Sequence, residues 1–181
     1  MSPAPFIHLF PEILSPEECR ALIDLAEAIG FESAQIHGAL DGPQGFRAQA
    51  GRDNTRSAIE DPTIAALIWS RVATKLPLWK NRAPTGINER LRFYRYESGQ
   101  SFPTHTDGYH EDAKRRSELT LLLYLNSDFE GGETVFIDSG NTYQPKTGSA
   151  LIFPHELWHE GRPLKSGRKY VIRTDVMFDR V

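Results

Sequence analysis

A chain of 181 residues, 39% apolar and 25% charged, is long enough to bury one good core and too short for two, and its composition excludes disordered, fibrous and repeat architectures. The formal net charge is −3 and the Lys and Arg residues are interspersed with acids, so there is no broad basic face for nucleic acid or anionic lipid, and the expected partner is a small molecule or a peptide. Cys19 is the single cysteine, and no leader-like or membrane-length apolar run is found. These features predict one soluble domain over residues 1–181 in the cytoplasm, without a membrane or nucleic-acid partner; they leave the oligomeric state open.

In chain order, the short apolar run from Phe6 to Phe10 predicts a strand. Ser15, Pro16 and Glu18 then form a helix start: a cap, a proline suited to the first turn, and the acid that completes a capping box. Cys19, Leu22, Ile23 and Ala26 recur at helical spacing until Gly30. The stretch from Gly38 to Arg56, rich in Gly, Gln and Arg, has no clear period; a substrate-contacting segment is one reading of it. Within it, Asn54 and Arg56 are candidates to meet a carboxylate or a peptide amide, against the plain alternative of a solvated surface. Asp61 and Pro62 begin a second helix, with Ile64, Leu67, Ile68, Val72 and Leu76 on one face, and Pro77 ends it. Helical support therefore falls mainly in residues 1–80.

From Arg90 onward the pattern changes to short β-rich runs: Leu91–Tyr96, Leu119–Leu125, Thr134–Ile137, Ser149–Phe153 and Lys169–Phe178, separated by Gly, Pro, Asn and Asp. Helices followed by many strands predict an α+β fold built on an antiparallel sandwich or barrel, open at one mouth to a ligand.

The chemistry centres on His105, Asp107 and the distant His159. Side chains two residues apart in extended backbone point the same way, so His105 and Asp107 reach one ion together, and a remote strand supplies the third ligand. Two imidazoles and a carboxylate on one face of an octahedron leave three positions open, the arrangement of non-haem Fe(II) oxygenases. Taken alone, the triplet fits an exposed turn better than a metal site. A cation ten residues after His159, at Lys169, adds an anchor for the far carboxylate of a metal-chelating oxo-acid. A lysine opening an interior strand is expensive to bury unless an anion meets it.

The strings RFYRYESGQSFPTHTDG (92–108), LYLN (123–126), EGGET (130–134), WHEGRP (158–163) and GRKY (167–170) together resemble the prolyl 4-hydroxylase-like branch of the 2-oxoglutarate/Fe(II)-dependent dioxygenases. The resemblance covers the C-terminal half well and the first eighty or so residues only in layout. It implies a double-stranded β-helix (jelly-roll) core over about residues 88–181, with packing helices before it. It also implies iron held by His105, Asp107 and His159, and a salt bridge from Lys169 to the C5 carboxylate of 2-oxoglutarate. Tyr124, Tyr96 and Thr134 fall where further cosubstrate contacts lie in the family, with core aromatics as the alternative for the two tyrosines. Arg173, on the same strand face as Lys169, is the rival anchor, and Lys169 is preferred. His155 is the rival distal ligand; the residues after His159 and its spacing to Lys169 favour His159. The charged stretch from Gly108 to Ser117, containing His110, reads as a solvated loop, with a lid as its functional variant. His8 and His37 receive no role.

The implied activity is an Fe(II)- and 2-oxoglutarate-dependent dioxygenase using O2, with ascorbate as a stimulating reductant. It would hydroxylate a C–H bond of a prolyl or other amino-acid residue, in a peptide or as a free small molecule, with succinate and CO2 as coproducts. Two other classes are weighed against it. A zinc-dependent hydrolase lacks an evident general base and leaves Lys169 without purpose; a non-catalytic jelly-roll binding protein makes the histidines incidental.

Overall fold

The computed structural model describes residues 5–33, 47–48 and 52–180, with only the backbone of 47–48 described. Its elements are β1 (His8–Phe10), α1 (Pro16–Ile29), β2 (Glu32–Ser33), β3 (Arg47–Ala48), β4 (Thr55–Glu60), α2 (Pro62–Val72), β5 (Gly86–Ile87) and β6 (Arg90–Glu97). They continue as β7 (Phe102–Thr106), β8 (Arg115–Tyr124), β9 (Glu130–Gly131), β10 (Thr134–Phe136), β11 (Thr142–Tyr143), β12 (Ala150–Pro154), β13 (His159–Gly161), β14 (Leu164–Ser166) and β15 (Arg168–Asp179). His37 and most of the Gly38–Arg56 stretch lie outside the described residues.

Local chemistry sets both helix starts. Ser15 Oγ accepts from the Glu18 N–H at 3.2 Å and Glu18 Oε2 accepts from the Ser15 N–H at 2.8 Å, a closed capping box ahead of α1. Asp61 Oδ1 accepts from the N–H groups of Thr63 and Ile64, both at 2.9 Å, at the start of α2. The second helix stops at Val72, earlier than the apolar spacing predicts; Leu76 is still buried, carried there by a turn whose N–H donates to Val72 O.

Two antiparallel sheets face each other, which is the double-stranded β-helix expected of the chain. The larger runs β1-β12-β8-β15-β6-β4-β2, with β5 also paired to β15, and the smaller runs β11-β10-β13-β7-β3. Strand alternation divides the core in two. Leu91 and Phe93 of β6, Leu119, Leu121 and Leu123 of β8, and Ile172, Val176 and Phe178 of β15 pack against α1 and α2. The opposite faces send Tyr94, Tyr96, Tyr124, Leu151, Phe153 and Val171 between the sheets. Each fully buried aliphatic or aromatic side chain contributes roughly 1.5–3 kcal/mol, so the helices act as the cover that keeps the large sheet rigid beneath the site. Among the described residues no helix is long and apolar enough to cross a membrane.

The stretch from Gly108 to Ser117 departs from the solvated-loop reading. Its last three residues open β8, Ser117 is 1% exposed, and the Ser117 N–H donates to His110 O at 2.8 Å, which closes the segment into a hairpin.

Gly148 pins the N-terminal segment to the barrel. Its carbonyl accepts from the N–H groups of Ile13 and Leu14, its own N–H donates to Tyr124 O, and at φ +78° an added Cβ would come within 2.1 Å of Leu14 O. Because both the backbone conformation and the space exclude a side chain, Gly148→Ala is expected to destabilise the protein by about 3 kcal/mol or more. Urea unfolding measures it; a loss under about 0.5 kcal/mol would contradict the close approach.

Candidate metal centre and cosubstrate pocket

In the small sheet β13 pairs antiparallel with β7 and sets His159 directly opposite His105, so the two rings share one face. Asp107 follows β7 and is held there by its N–H donating to His155 O at 2.8 Å. One ligand atom from each of His105, Asp107 and His159 lies within 4.8 Å of the others. His105 Nε2 stands 3.8 Å from Asp107 Oδ1, and His159 Nε2 stands 3.7 Å from Oδ2.

The tautomer of each imidazole follows from the contact its Nδ1 makes. His105 Nδ1 is 2.8 Å from Pro103 O, and His159 Nδ1 is 2.9 Å from Leu157 O. A carbonyl only accepts, so each Nδ1 carries the proton and each Nε2 turns its lone pair to the common centre. Phe102 stacks on His105 at 3.6 Å between centroids, and Phe153 packs edge-on to His159 at 4.7 Å. Burial pushes His105 down to about 3 and lowers His159 as well, so both are neutral donors near pH 7. For Asp107, burial alone would raise the carboxyl; the Arg173 guanidinium, the largest opposing charge, leads in holding it well below the usual carboxylate range. Two neutral imidazoles and an ionised carboxylate fit a divalent first-row ion such as Fe(II).

A hydrogen-bonded chain fixes the carboxylate from behind. Thr120 Oγ1 donates to Asp107 Oδ2 at 2.6 Å, so it is left to accept from His155 Nδ1 at 2.8 Å; His155 Nε2 then accepts from Ser117 Oγ at 2.8 Å. Ser117 Oγ in turn accepts from the His110 N–H at 2.9 Å. His155, the rival ligand in the sequence, is thus a buried link in this chain, and burial pushes it down to about 4, which keeps it neutral.

From the metal centre a pocket runs between the sheets, lined by Tyr94, Phe102, Leu122 and Val171 and reaching Tyr96, Tyr124, Thr134 and Lys169. Lys169 is 5% exposed, and among the described residues no carboxylate lies within ion-pair distance of its Nζ. That ammonium donates to Gly132 O at 2.7 Å and sits 5.2 and 5.6 Å from the ring centres of Tyr96 and Tyr124. Burial pushes Lys169 down to about 8, against the pull of nearby Glu133. The Tyr124 hydroxyl is 2.7 Å from Thr134 Oγ1. A buried cation, two phenols and a threonine hydroxyl at the far end of a metal-linked pocket match a dicarboxylate that chelates the ion with its other end.

Arg173 also lines this pocket, at its metal end: Nε is 3.4 Å from Asp107 Oδ1 and Nη2 is 3.0 Å from Asp175 Oδ1. The rival anchor is therefore already engaged by protein carboxylates. Neither Asn54 nor Arg56 lines the pocket. Asn54 is fully buried and donates to Thr55 O; Arg56, with its side chain 43% exposed, pairs with Glu32 across β2 and β4. The backbone of β3 runs beside the metal ligands, Arg47 opposite Thr106 and Ala48 opposite His105. Thr120, Asp175 and Arg92 are site residues that sequence reasoning missed. The signal for Asp175 was available: Lys169, Arg173 and Asp175 share the inward face of β15, in a strand rich in apolar residues.

The 2OG-Fe(II) oxygenase superfamily matches residues 91–174. Prolyl 4-hydroxylase 2 of Arabidopsis thaliana is 28% identical over 94% of this chain and 66% of its own length. A PKHD-type hydroxylase of Psychrobacter sp. is 28% identical over 72% of this chain and 54% of its own, so the chain spans between half and two thirds of these curated relatives. The viral collagen prolyl hydroxylase of Paramecium Bursaria Chlorella virus-1, solved with 2OG, superposes with a TM-score of 0.71 at 23% identity, covering 97% of each chain, and shares the fold. The motif order, the fold and the His-Asp-His arrangement agree with these matches: the chain carries a 2OG-Fe(II) oxygenase superfamily segment over residues 91–174 and is similar to prolyl 4-hydroxylases.

Proposed function

We propose that this chain hydroxylates an amino-acid residue, with a prolyl ring as the first candidate, in a peptide or as a free small molecule. The observation that carries the reading is the pairing, in one pocket, of three convergent ligands with a buried lysine lacking a carboxylate partner among the described residues. His105, Asp107 and His159 would hold Fe(II), and Lys169 would meet the C5 carboxylate of 2-oxoglutarate, supported by Tyr124, Thr134 and Tyr96. Once bound there, metal and cosubstrate supply the coupled oxidation by O2 that converts a C–H bond to C–OH and 2-oxoglutarate to succinate and CO2. The protein's share is to orient and to exclude water: the Nδ1 carbonyl contacts hold the two rings, Thr120 and Arg173 hold the carboxylate, and Phe102, Leu122 and Val171 keep the pocket walls apolar. Substrate has a route along the cleft beside Asp107, bounded by Tyr109, Arg116, His155 and Glu156.

Succinate formation tests this reading. Anaerobically purified protein given Fe(II), 2-oxoglutarate, ascorbate and air is expected to release succinate above His105→Ala and His159→Ala, which should fall to background. Proline-containing peptides and free amino acids are then screened for gain of one oxygen. Absence of turnover together with absence of metal-dependent 2-oxoglutarate binding would overturn the assignment and favour a hydrolase or a binding protein.

Lys169 makes a second test with a sign of its own. Its folded-state value of about 8 lies below the ordinary 10.5, so between these pH values the unfolded chain binds more protons, and the lysine's penalty on folding shrinks as pH rises. Below pH 8 the full penalty stands, at most about 3 kcal/mol. Lys169→Met should therefore leave the ligand-free protein as stable as wild type or more stable at pH 7. The gap should narrow toward pH 10.5 in urea unfolding, while 2-oxoglutarate affinity drops at least roughly tenfold. A variant that is less stable at pH 7 and binds 2-oxoglutarate normally would refute the anchor.

A further inference from the structure

Four charges alternate in sign behind the metal ligands. Arg92 Nη1 lies 3.2 Å from Asp175 Oδ2, Asp175 Oδ1 lies 3.0 Å from Arg173 Nη2, and Arg173 Nε lies 3.4 Å from Asp107 Oδ1. Only the Arg92 side chain, 18% exposed, approaches water; those of Asp175, Arg173 and Asp107 are 1%, 5% and 9% exposed. Asn88 Nδ2 donates to Asp175 Oδ2 at 3.1 Å, and Arg173 Nη2 also donates to Gly108 O at 3.2 Å. The row sums to zero and each charge lies within ion-pair distance of its opposite, with Arg173 Nε and Asp175 Oδ1 making charge contacts and no hydrogen bond.

We propose that Arg173 is a positioning residue of the metal centre rather than an anchor for the oxo-acid: pinned by Asp175 and the Gly108 carbonyl, its guanidinium fixes the carboxylate of Asp107. Three features support this. The two sides of Asp107 meet different groups, Oδ1 the charge of Arg173 and Oδ2 the hydroxyl of Thr120 from which it accepts, so rotation of the carboxylate breaks the hydrogen bond and moves Oδ1 off the guanidinium. The guanidinium spans two carboxylates at once through Nε and Nη2, which the compact ammonium of a lysine does not reproduce. Finally, Arg173 touches a metal ligand, whereas the far carboxylate of a chelated oxo-acid points away from the metal, toward Lys169, four residues or roughly 13 Å farther along β15.

The inference rests on the reading of His105, Asp107 and His159 as metal ligands, and the test separates the two. Calorimetric titration with Mn(II), and with 2-oxoglutarate at saturating Mn(II), is run on wild type, His105→Ala, Lys169→Met, Arg173→Gln and Arg173→Lys. Arg173→Gln is expected to weaken Mn(II) binding at least roughly tenfold and Arg173→Lys to recover part of it, with 2-oxoglutarate affinity at saturating metal within about threefold of wild type. Lys169→Met should give the reverse pattern. If Arg173→Gln does not fold, Arg173→Lys is judged alone by the same split. Wild-type Mn(II) affinity in the Arg173 variants, or a loss of 2-oxoglutarate affinity matching that of Lys169→Met, overturns the inference while leaving the metal reading intact. Equal Mn(II) binding by wild type and His105→Ala overturns both.

Discussion

The carboxylate of Asp107 is buried, and a buried carboxylate without a countercharge is strongly unfavourable until a metal arrives. The fold answers this before any ion is bound. Arg173 supplies a fixed positive charge on one side, Thr120 a hydroxyl on the other, and the His105 and His159 rings, neutral by burial, crowd the remaining face. Everything around the centre follows from keeping that group ionised and immobile. Asp175 exists in an apolar strand because Arg173 needs its own partner, and Arg92 and Asn88 are drawn inward because Asp175 does.

The inward face of β15 therefore carries two separate ionic arrangements. At its start Lys169 sits among aromatic rings and donates to Gly132 O, with no carboxylate within ion-pair distance among the described residues. Farther along, Arg173 and Asp175 form a closed set whose charges are already balanced. On the function proposed above, the cation with no carboxylate partner among the described residues recruits the oxo-acid, and the paired one builds scaffold. The large sheet that presents this face is packed on its other side against α1 and α2.

Much of this could be read from residues adjacent in the chain. Ser15 to Glu18 and Asp61 to Pro62 are local devices, and both helices begin where those residues require. The strand over Leu91–Tyr96 is legible in its β-rich run, and the convergence of His105 and Asp107 in their i, i+2 spacing once Lys169 and the distal His159 motif support it. What escaped the sequence depends on partners far along the chain. Thr120 looks like one polar residue in a leucine-rich strand until β8 lies behind Asp107; His155 looks like an alternative ligand until Ser117 and Thr120 take both its nitrogens. Arg56, read in the sequence as a candidate substrate contact beside Asn54, pairs with Glu32 across β2 and β4, a partner far from it in the chain. The hairpin from Gly108 to Ser117 was hidden by its charge, which marks the exposed side chains and says nothing of the buried Ser117.

The central claim is that one pocket holds an iron ion and 2-oxoglutarate together through His105, Asp107, His159 and Lys169. Anaerobic titration followed by visible charge-transfer absorption addresses it directly, because chelation of Fe(II) by the oxo-acid gives a band that neither component gives alone. Wild type is predicted to develop the band only when both are added, His159→Ala to lose it, and Lys169→Met to require a higher concentration of 2-oxoglutarate to reach it. No band in wild type, with Fe(II) binding unchanged by His159→Ala, would contradict the account.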